Sequence, residues 1–304
     1  GISIISYGSI VAKGKEDKKI TFRSLNKYQP WGTIAIVGKD SNSIFEYCVF
    51  DGGSGTYHQG KYFSAMLSGY YIKSININNC IFKNANKENG GDDAVNVKFG
   101  KVIIKNSSFI KNGGDAIDFD FVDDNSSIIN SDFIDNGNDA IDVSSSTIVI
   151  EKCTINASGD KGISAGEKSN ININNSHIYK SKIGIASKDS SFVKISNSNI
   201  DNNVIGIGLY NKKEYYESSS IKIIGSKIED NYINCAEETY NKFGHSRADI
   251  TLDKKIKNTQ KLYNYVIKGD LKGASKKDII RTHYENGSLD KYINYVTFKD
   301  CERL

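Results

Sequence analysis

The sequence predicts a single-stranded right-handed parallel β-helix, an all-β solenoid of stacked coils, with a short helical cap at its C-terminal end. Three observations predict this fold. Two short phrases recur with a steady period, the runs between turn residues alternate apolar and polar side chains, and proline occurs once in 304 residues. A central strand of a parallel sheet cannot spare its N–H group, so the near absence of proline fits a continuous stack of strands.

The first phrase is a polar pair or triplet followed by Phe or Ile, as in Asn79-Cys80-Ile81-Phe82. One earlier copy and six later ones begin at Tyr47, Asn106, Asn130, Lys152, Asn175, Asn197 and Gly225. Asparagines stacked at a turn can satisfy each other's amide donors and acceptors. We therefore expect an internal ladder of the asparagines that open the phrase, namely Asn79, Asn106, Asn130, Asn175 and Asn197.

The second phrase is Ala or Gly followed by Ile or Val, and its apolar residue returns every 22 or 24 positions. These anchors are Val95, Ile117, Ile141, Ile163, Ile185 and Ile207. An apolar residue that returns at such steps occupies the same inward position in successive coils, which stack about 4.8 Å apart. Residues at equal offsets from the anchors are therefore expected to form rows along the stack.

The ends of the chain differ in composition, and we expect the β-helix to span residues 1–250 and the cap 251–304. Ser275 to Asp278 resembles a helix-capping box, and a cap would cover the open sheet edge of the last coil. The tail from Thr251 carries 12 basic and 7 acidic residues, so the net charge of +4 belongs to it. A nucleic-acid-binding protein would show its basic surface on the main body, so we expect no nucleic-acid partner.

Other classes are excluded by composition. No apolar stretch approaches the roughly 20 residues that cross a bilayer. The five cysteines show no metal-binding spacing and do not predict a disulfide framework. The chain opens at Gly1 without a starter methionine or a signal peptide, and we expect a fragment or a processed form.

Three rows flank the anchors, and we name them by their offsets. The first row, two positions before the anchors, is Asp93, Asp115, Asp139, Lys161, Ile183 and Ile205. The second row, one position after them, is Asn96, Asp118, Asp142, Ser164, Ala186 and Gly208. The third row, three positions after them, is Lys98, Asp120, Ser144, Gly166, Lys188 and Tyr210.

We expect all three rows on the outer face, where they would form a solvent-facing acidic groove next to Asp92, Glu167 and Asp189. Aspartates in turns are ordinary surface chemistry, but like charges about 5 Å apart repel each other. Such a patch implies a bound cation or shared protons. Calcium prefers several oxygen ligands. The predicted calcium ligands are drawn from Asp93, Asp115, Asp118, Asp120, Asp139 and Asp142.

A family resemblance rests on three segments of the rows. Asn138 to Ser144 followed by Gly159 to Ser164 resembles the active-site coils of polygalacturonase-type glycoside hydrolases, and Gly91 to Lys98 resembles their Asp-Asp coil. The wider chain, over residues 30–240, is similar to the pectin-lyase-like superfamily and to β-helix repeat proteins associated with spore-coat-kinase-like domains. In this alignment Asp139 and Asp160 match aspartates of the hydrolase motifs, which makes Asp160 a candidate catalytic residue as well. The pattern departs from the hydrolases, because Lys161 replaces the second aspartate and Ile183-Gly184-Ile185 replaces Gly-His-Gly.

The resemblance implies an enzyme that acts on a polysaccharide outside the cell or in the cell envelope. Lyases and epimerases of this superfamily need a cation that neutralises the substrate carboxylate and a base, frequently Lys or Arg. Lys161 and Lys188 are the candidate bases, although Lys161 beside Asp139 and Asp160 equally predicts a structural ion pair. A hydrolase could instead pair Asp115 or Asp118 with Asp139 or Asp142. A non-catalytic carbohydrate-binding or surface module is the alternative of a different class.

Overall fold

The computed structural model describes residues 1–26, 29–86, 91–213, 215–231, 233–240, 249–252 and 297–300. These residues form strands, turns and loops, and no helix occurs among them. They build a parallel solenoid with three faces, as the repeats predict. The predicted helical cap falls almost wholly on residues 253–296 and 301–304, which lie outside the described residues. No helix in the described part of the chain is long and apolar enough to cross a membrane.

The first face carries the anchors. Its strands are β1 (Ile4–Ser6), β4 (Ile34–Val37), β9 (Ala65–Tyr70), β12 (Asp93–Lys105), β14 (Ile117–Val122), β17 (Ile141–Ser144), β20 (Lys161–Gly166), β23 (Ile183–Lys188), β26 (Ile205–Tyr210) and β29 (Ile233–Tyr240). Each strand pairs in parallel with the next one on this face.

The second face follows it around each coil. Its strands are β2 (Val11–Lys13), β5 (Asn42–Glu46), β10 (Ser74–Asn78), β15 (Ser126–Ile129), β18 (Thr147–Glu151), β21 (Asn170–Asn174), β24 (Phe192–Ser196), β27 (Ser220–Ile224) and β30 (Asp249–Leu252). The second half of β12 belongs to this face as well, so the two faces share one continuous hydrogen-bonded sheet.

The third face is a separate sheet of nine parallel strands. They are β3 (Ile20–Arg23), β6 (Cys48–Asp51), β11 (Ile81–Lys83), β13 (Ser108–Ile110), β16 (Asp132–Ile134), β19 (Thr154–Asn156), β22 (His177–Tyr179), β25 (Asn199–Asp201) and β28 (Lys227–Ile228). Two short strands, β7 (Thr56–His58) and β8 (Lys61–Phe63), form an antiparallel hairpin at a corner. The last strand, β31 (Thr297–Asp300), runs antiparallel to β29.

The interior is filled by the inward residues of all three faces, because alternate side chains of a strand point to opposite sides. The Phe of the first phrase forms a stack through Phe50, Phe82, Phe109 and Phe133, with ring centroids 4.4–5.1 Å apart. All six anchors are completely buried. The predicted register of both phrases is therefore confirmed.

The cysteines of the first phrase are core residues, as the sequence indicates. Cys48, Cys80 and Cys153 are buried and free. Cys235, on β29, is disulfide-bonded, which the scattered cysteine pattern did not predict.

The sequence predicts an asparagine ladder inside the coils, and this location is wrong. Asn79, Asn106 and Asn130 adopt left-handed backbone conformations, with φ near +50°, which direct their side chains outward. The serine that follows points inward instead. The hydroxyl of Ser131, for example, accepts the N–H of Ser107 one coil below at 3.2 Å. Buried serines at this corner therefore replace the expected amides as the rungs of an internal ladder.

One corner is longer than its neighbours. The third-row step from Asp120 to Ser144 is 24 residues, whereas the next paired positions, Ser126 and Ile148, are 22 apart. The two additional residues therefore lie between Asp120 and Ser126. They are absorbed in a turn in which the N–H of Ser126 donates to the carbonyl of Asp123 at 2.8 Å, and the strand register on both sides is unchanged.

Candidate functional site

The three rows lie where the spacing predicts. Asn96 pairs with Asp118, Asp118 with Asp142, and Asp142 with Ser164 in the register of the first face. The third row shows the same alignment, from Lys98 through Asp120 to Ser144. The scattered acids of the sequence therefore form one strip across three successive coils.

The first row is a ladder that links each coil to the next. One carboxylate oxygen of Asp93 accepts the N–H of Asp115 at 3.0 Å, and Asp115 does the same for Asp139 at 2.8 Å. Asp139 in turn accepts the N–H of Lys161 at 2.8 Å. These aspartates act as backbone acceptors at the point where each strand begins, so they hold the coils together.

The expectation that the rows face solvent is wrong for several of these residues. Asp139 is 3% exposed, Lys161 3% and Lys188 4%. Asp93 and Asp160 are also buried. The first-row carboxylates turn over the backbone of the adjacent coil to reach its N–H groups, so they lie beneath the surface. Asp118, Asp120 and Asp142 are half-buried and remain accessible.

The second row contains two accessible acids, Asp118 and Asp142, that are direct partners in the strand register. The side-chain amide of Asn96 donates to the Asp118 carboxyl group at 2.5 Å. Above Asp142 lies Ser164, whose buried hydroxyl has no hydrogen-bond partner among the described residues. An unsatisfied buried hydroxyl costs free energy, and this one is fully covered by protein, so it is not itself a contact for a bound molecule. The sequence places Ser164 in this row but does not reveal that it lacks a partner.

Lysines close both ends of the strip. At the lower, N-terminal end Lys98 forms an ion pair with Asp120 at 2.7 Å. From the upper end Lys188 extends along the third row over Gly166, where its Cε lies 3.7 Å from the position that a β-carbon would occupy. Ser144 Oγ lies 3.8 Å from that same position. Lys188 therefore lies directly over Gly166, and its charge opposes the raised pKa of Asp139.

Lys161 is held in a buried ion pair. Its ammonium group donates to Asp160 at 2.5 Å and lies 3.6 Å from Asp139. Two adjacent carboxylates stabilise the charged form of a lysine. This geometry favours the structural alternative over the catalytic base for Lys161.

Burial and crowding raise the pKa values of four aspartates. The pKa of Asp118 lies well above its usual value, first because the group is buried and then because Asp142 and Asp120 are close. Burial, followed by Asp139 and Asp142, similarly raises the pKa of Asp115. Asp118 and Asp115 therefore hold a proton more readily than an exposed aspartate does.

The other two affected aspartates titrate near neutrality. Burial raises the pKa of Asp93 to about 6. For Asp139, burial raises the pKa to about 7 although the ammonium group of Lys161 opposes the shift. These raised pKa values support the expectation that the acids share protons.

The acids next to the rows have other partners. Glu167 is ion-paired with Lys213. The carboxylate of Asp189 accepts the N–H groups of Lys212 and Lys213 at 2.7 and 2.8 Å. These contacts fix the loop after β26. At the lower end, burial followed by the charges of Asp93 and Asp92 raises the pKa of Tyr62, which places the β7–β8 hairpin close to the first row.

The acidic side chains do not fit a calcium site in this arrangement. Within the described part of the chain, no three or more of the His, Cys, Asp and Glu side chains are grouped so that they could hold one metal ion. Asp115 and Asp139 each use an oxygen as a backbone acceptor. Calcium therefore stays a prediction, and no step proposed below depends on it.

Sequence reasoning missed an aromatic ladder beside the third row. Tyr71, Phe99 and Phe121 directly follow the third-row positions of three successive coils, and their rings stack in parallel. The only signal in the sequence is that an aromatic residue follows Tyr70, Lys98 and Asp120 in turn. Irregular steps of 28 and 22 residues concealed it.

Comparison with known proteins supports the fold. Residues 118–254 match the family model described as right handed beta helix region. No curated protein matches the chain. Similar solved structures include a pectate lyase, at 15% identity over 96% of this chain and 80% of that one, with a TM-score of 0.43.

A mutant of a periplasmic alginate epimerase is similar at 11% identity over 82% of this chain and 77% of that one, with a TM-score of 0.42. A mannuronic acid specific family 6 polysaccharide lyase from human gut microbiota is similar at 10% identity over 83% and 75%, with a TM-score of 0.34. Likeness at this level carries no information about activity. The parallel three-faced solenoid and the match over residues 118–254 show that the chain folds as a right-handed parallel β-helix.

Proposed function

We propose that this protein is a polysaccharide lyase or epimerase that acts on a uronic-acid-containing polymer outside the cell or in the cell envelope. One observation carries the proposal. The second row places Asp118, whose raised pKa favours the protonated form, directly beside Asp142, and the buried cation Lys188 lies over Gly166, two coils above Asp142.

Both reactions begin with the removal of the proton on C5 of a uronic acid, next to its carboxylate. The carboxylate must be neutralised, because the electrons of the broken C–H bond move toward it. We assign Lys188 to the substrate carboxylate and Asp142 to the proton on C5. Lys161 is excluded from this role by its ion pair with Asp160. The role of Lys188 as a base, predicted from the sequence, becomes the second choice.

The fate of the electron pair distinguishes the two outcomes. In a lyase the C4–O bond breaks, a C4–C5 double bond forms, and Asp118 donates its proton to the leaving oxygen. In an epimerase C5 is reprotonated from the opposite face, and no bond of the polymer breaks. A carboxyl group with a raised pKa beside an acceptor suits the lyase, in which both groups act on one side of the sugar.

Hydrolysis is the second candidate, and the same pair of acids favours it. Glycoside hydrolases use one protonated and one ionised carboxyl group on either side of the scissile bond. Asp118 and Asp142 could provide these. Hydrolysis has no need for Lys188 beside the substrate, which is why we favour proton abstraction.

Incubation with pectate and with alginate tests the proposal. Ultraviolet absorbance from an unsaturated product indicates a lyase, and exchange of the C5 proton in heavy water without chain cleavage indicates an epimerase. New reducing ends without absorbance would indicate the hydrolase. Binding without any product would indicate the non-catalytic module and overturn the proposal. Asp118→Asn should abolish the product, whereas Asp132→Asn, an exposed acid on the third face, should not.

A further inference from the structure

The aromatic ladder formed by Tyr71, Phe99 and Phe121 lies on the outside of the coils. Tyr71 and Phe99 are 4.3 Å apart between ring centroids, Phe99 and Phe121 are 4.9 Å apart, and both pairs are parallel within 5°. Tyr71 is 50% exposed and Phe121 51%. The ladder ends above in the half-exposed ring of Phe121, whereas Tyr71 at its lower end also packs against Tyr70, with ring centroids 4.9 Å apart and planes at 86°.

The backbone does not account for these aromatics. All three have positive φ, between +50° and +62°. Bulky residues rarely adopt this left-handed conformation, which Gly, Asn and Asp accept more easily. Other corners of this chain use such residues, for example Asn130 and Asp135. Three large rings at this corner therefore occupy positions that a smaller polar residue would fill with less strain.

No aromatic ring continues the ladder above Phe121 among the described residues. The next rung is Ser145, because Asp120 pairs with Ser144. The Ser145 hydroxyl donates to the backbone carbonyl of Glu167 at 2.9 Å, so this small side chain turns upward to the backbone. A further stacked ring would lie about one strand spacing above Phe121, at the level of the small Ser145 side chain.

We propose that the upper face of Phe121 is a sugar-binding subsite, on which one pyranose ring of the polysaccharide stacks as the next rung of the ladder. The inference rests on the proposed function. Phe121 directly follows Asp120 of the third row, one coil below Ser144. A chain bound in the groove therefore meets this face with a ring beside the one that reacts. The C–H face of a pyranose packs against an aromatic ring, and its hydroxyl groups remain in water.

Isothermal titration calorimetry with hexasaccharides from pectate and from alginate tests the subsite. We expect Phe121→Asn to weaken binding about tenfold, which is the size of one lost aromatic contact. Asparagine accepts the left-handed backbone, so the melting temperature should not fall. Tyr71→Asn is the matched control, because it removes the terminal ring at the other end of the same ladder. Its affinity should equal that of the unmodified protein.

The outcomes separate the two proposals. If the unmodified protein binds a hexasaccharide and Phe121→Asn binds it equally well, the subsite is wrong and the proposed function stands. Equal losses of affinity and of melting temperature in both variants would show that the ladder is only structural, which also overturns the subsite. If the unmodified protein binds neither hexasaccharide, both the proposed function and the subsite fail.

Discussion

The lower and upper coils of the first face are built alike but carry different rows. In the lower coils, Asp118 and Asp142 occupy the second row. In the upper coils the same row holds Ala186 and Gly208 in unbroken register. The fold therefore does not require acids in these positions. Because a buried or half-buried carboxyl group costs free energy unless it has a partner, the acids of the lower coils call for a functional explanation.

The first row teaches a different lesson. In the lower coils the N–H of Asp115 is bound by the side chain of Asp93. In the upper coils the N–H of Ile183 donates a hydrogen bond to the backbone carbonyl of Asp160 instead. A first-row aspartate thus has a structural task that the backbone performs elsewhere. The second-row acids Asp118 and Asp142 do not have this task of accepting a backbone N–H, so they are the stronger catalytic candidates.

Converting a lower coil to the upper pattern should give the largest effect. Asp142→Ala copies Ala186, and we expect it to lower turnover by about 10²–10⁴-fold, the usual contribution of an acid–base group. The melting temperature should not decrease, since a half-buried charge is removed. Product formation and thermal unfolding measure the two quantities. Full turnover by this variant would remove Asp142 from the mechanism.

The pH dependence of stability should distinguish the acidic coils from the rest. The pKa values of Asp93 and Asp139 are about 6 and about 7 in the folded protein, whereas an unfolded aspartate titrates near 3.9. The folded state therefore binds more protons between pH 4 and 7, and stability falls as pH rises through this window. We expect a loss of several kcal/mol in urea unfolding across this window.

Asp139→Asn is the matched variant for this pH measurement. It should flatten the slope, because the amide does not titrate. An unchanged slope in this variant would show that Asp139 does not cause the effect.

Removing one rung of the first-row ladder should lower the unfolding free energy by a smaller amount. Asp139→Ala leaves the buried N–H of Lys161 without its acceptor, which should lower the unfolding free energy by about 1–3 kcal/mol. Asp139→Asn retains an oxygen acceptor and should lose less of this hydrogen bond. Chemical denaturation at pH 5, where the unmodified Asp139 is mostly protonated, measures the difference. Equal stability of the two variants would contradict the role of the carboxylate as a rung.

Adding or removing calcium should change the stability of the protein least of all. The acids of the rows are spread along the strip, and the raised pKa values of Asp115 and Asp118 favour the protonated form, which binds a cation less well. We expect the melting temperature to be the same in excess Ca²⁺ and in EDTA. A clear rise with Ca²⁺ would show instead that the six predicted aspartates include a metal site.

The sequence predicts the fold and the rows because both depend on spacing alone. Residues 22 or 24 positions apart, such as Ile117 and Ile141, lie over one another wherever the coils stack. Exposure could not be predicted this way. Asp139 is buried because its side chain turns toward the N–H of Lys161, and that direction is set by the geometry of the corner. Likewise, spacing places Lys161 near two acids but does not decide between an ion pair and a base.

The longer corner between Asp120 and Ser126 shows how such a protein can change its substrate. Two extra residues are accommodated there while the strands before and after keep their pairing. Insertions and deletions at this turn, beside Phe121, can therefore reshape the wall of the groove without moving Asp118 or Asp142. Evolution could vary which glycan is recognised and leave the reacting groups in place.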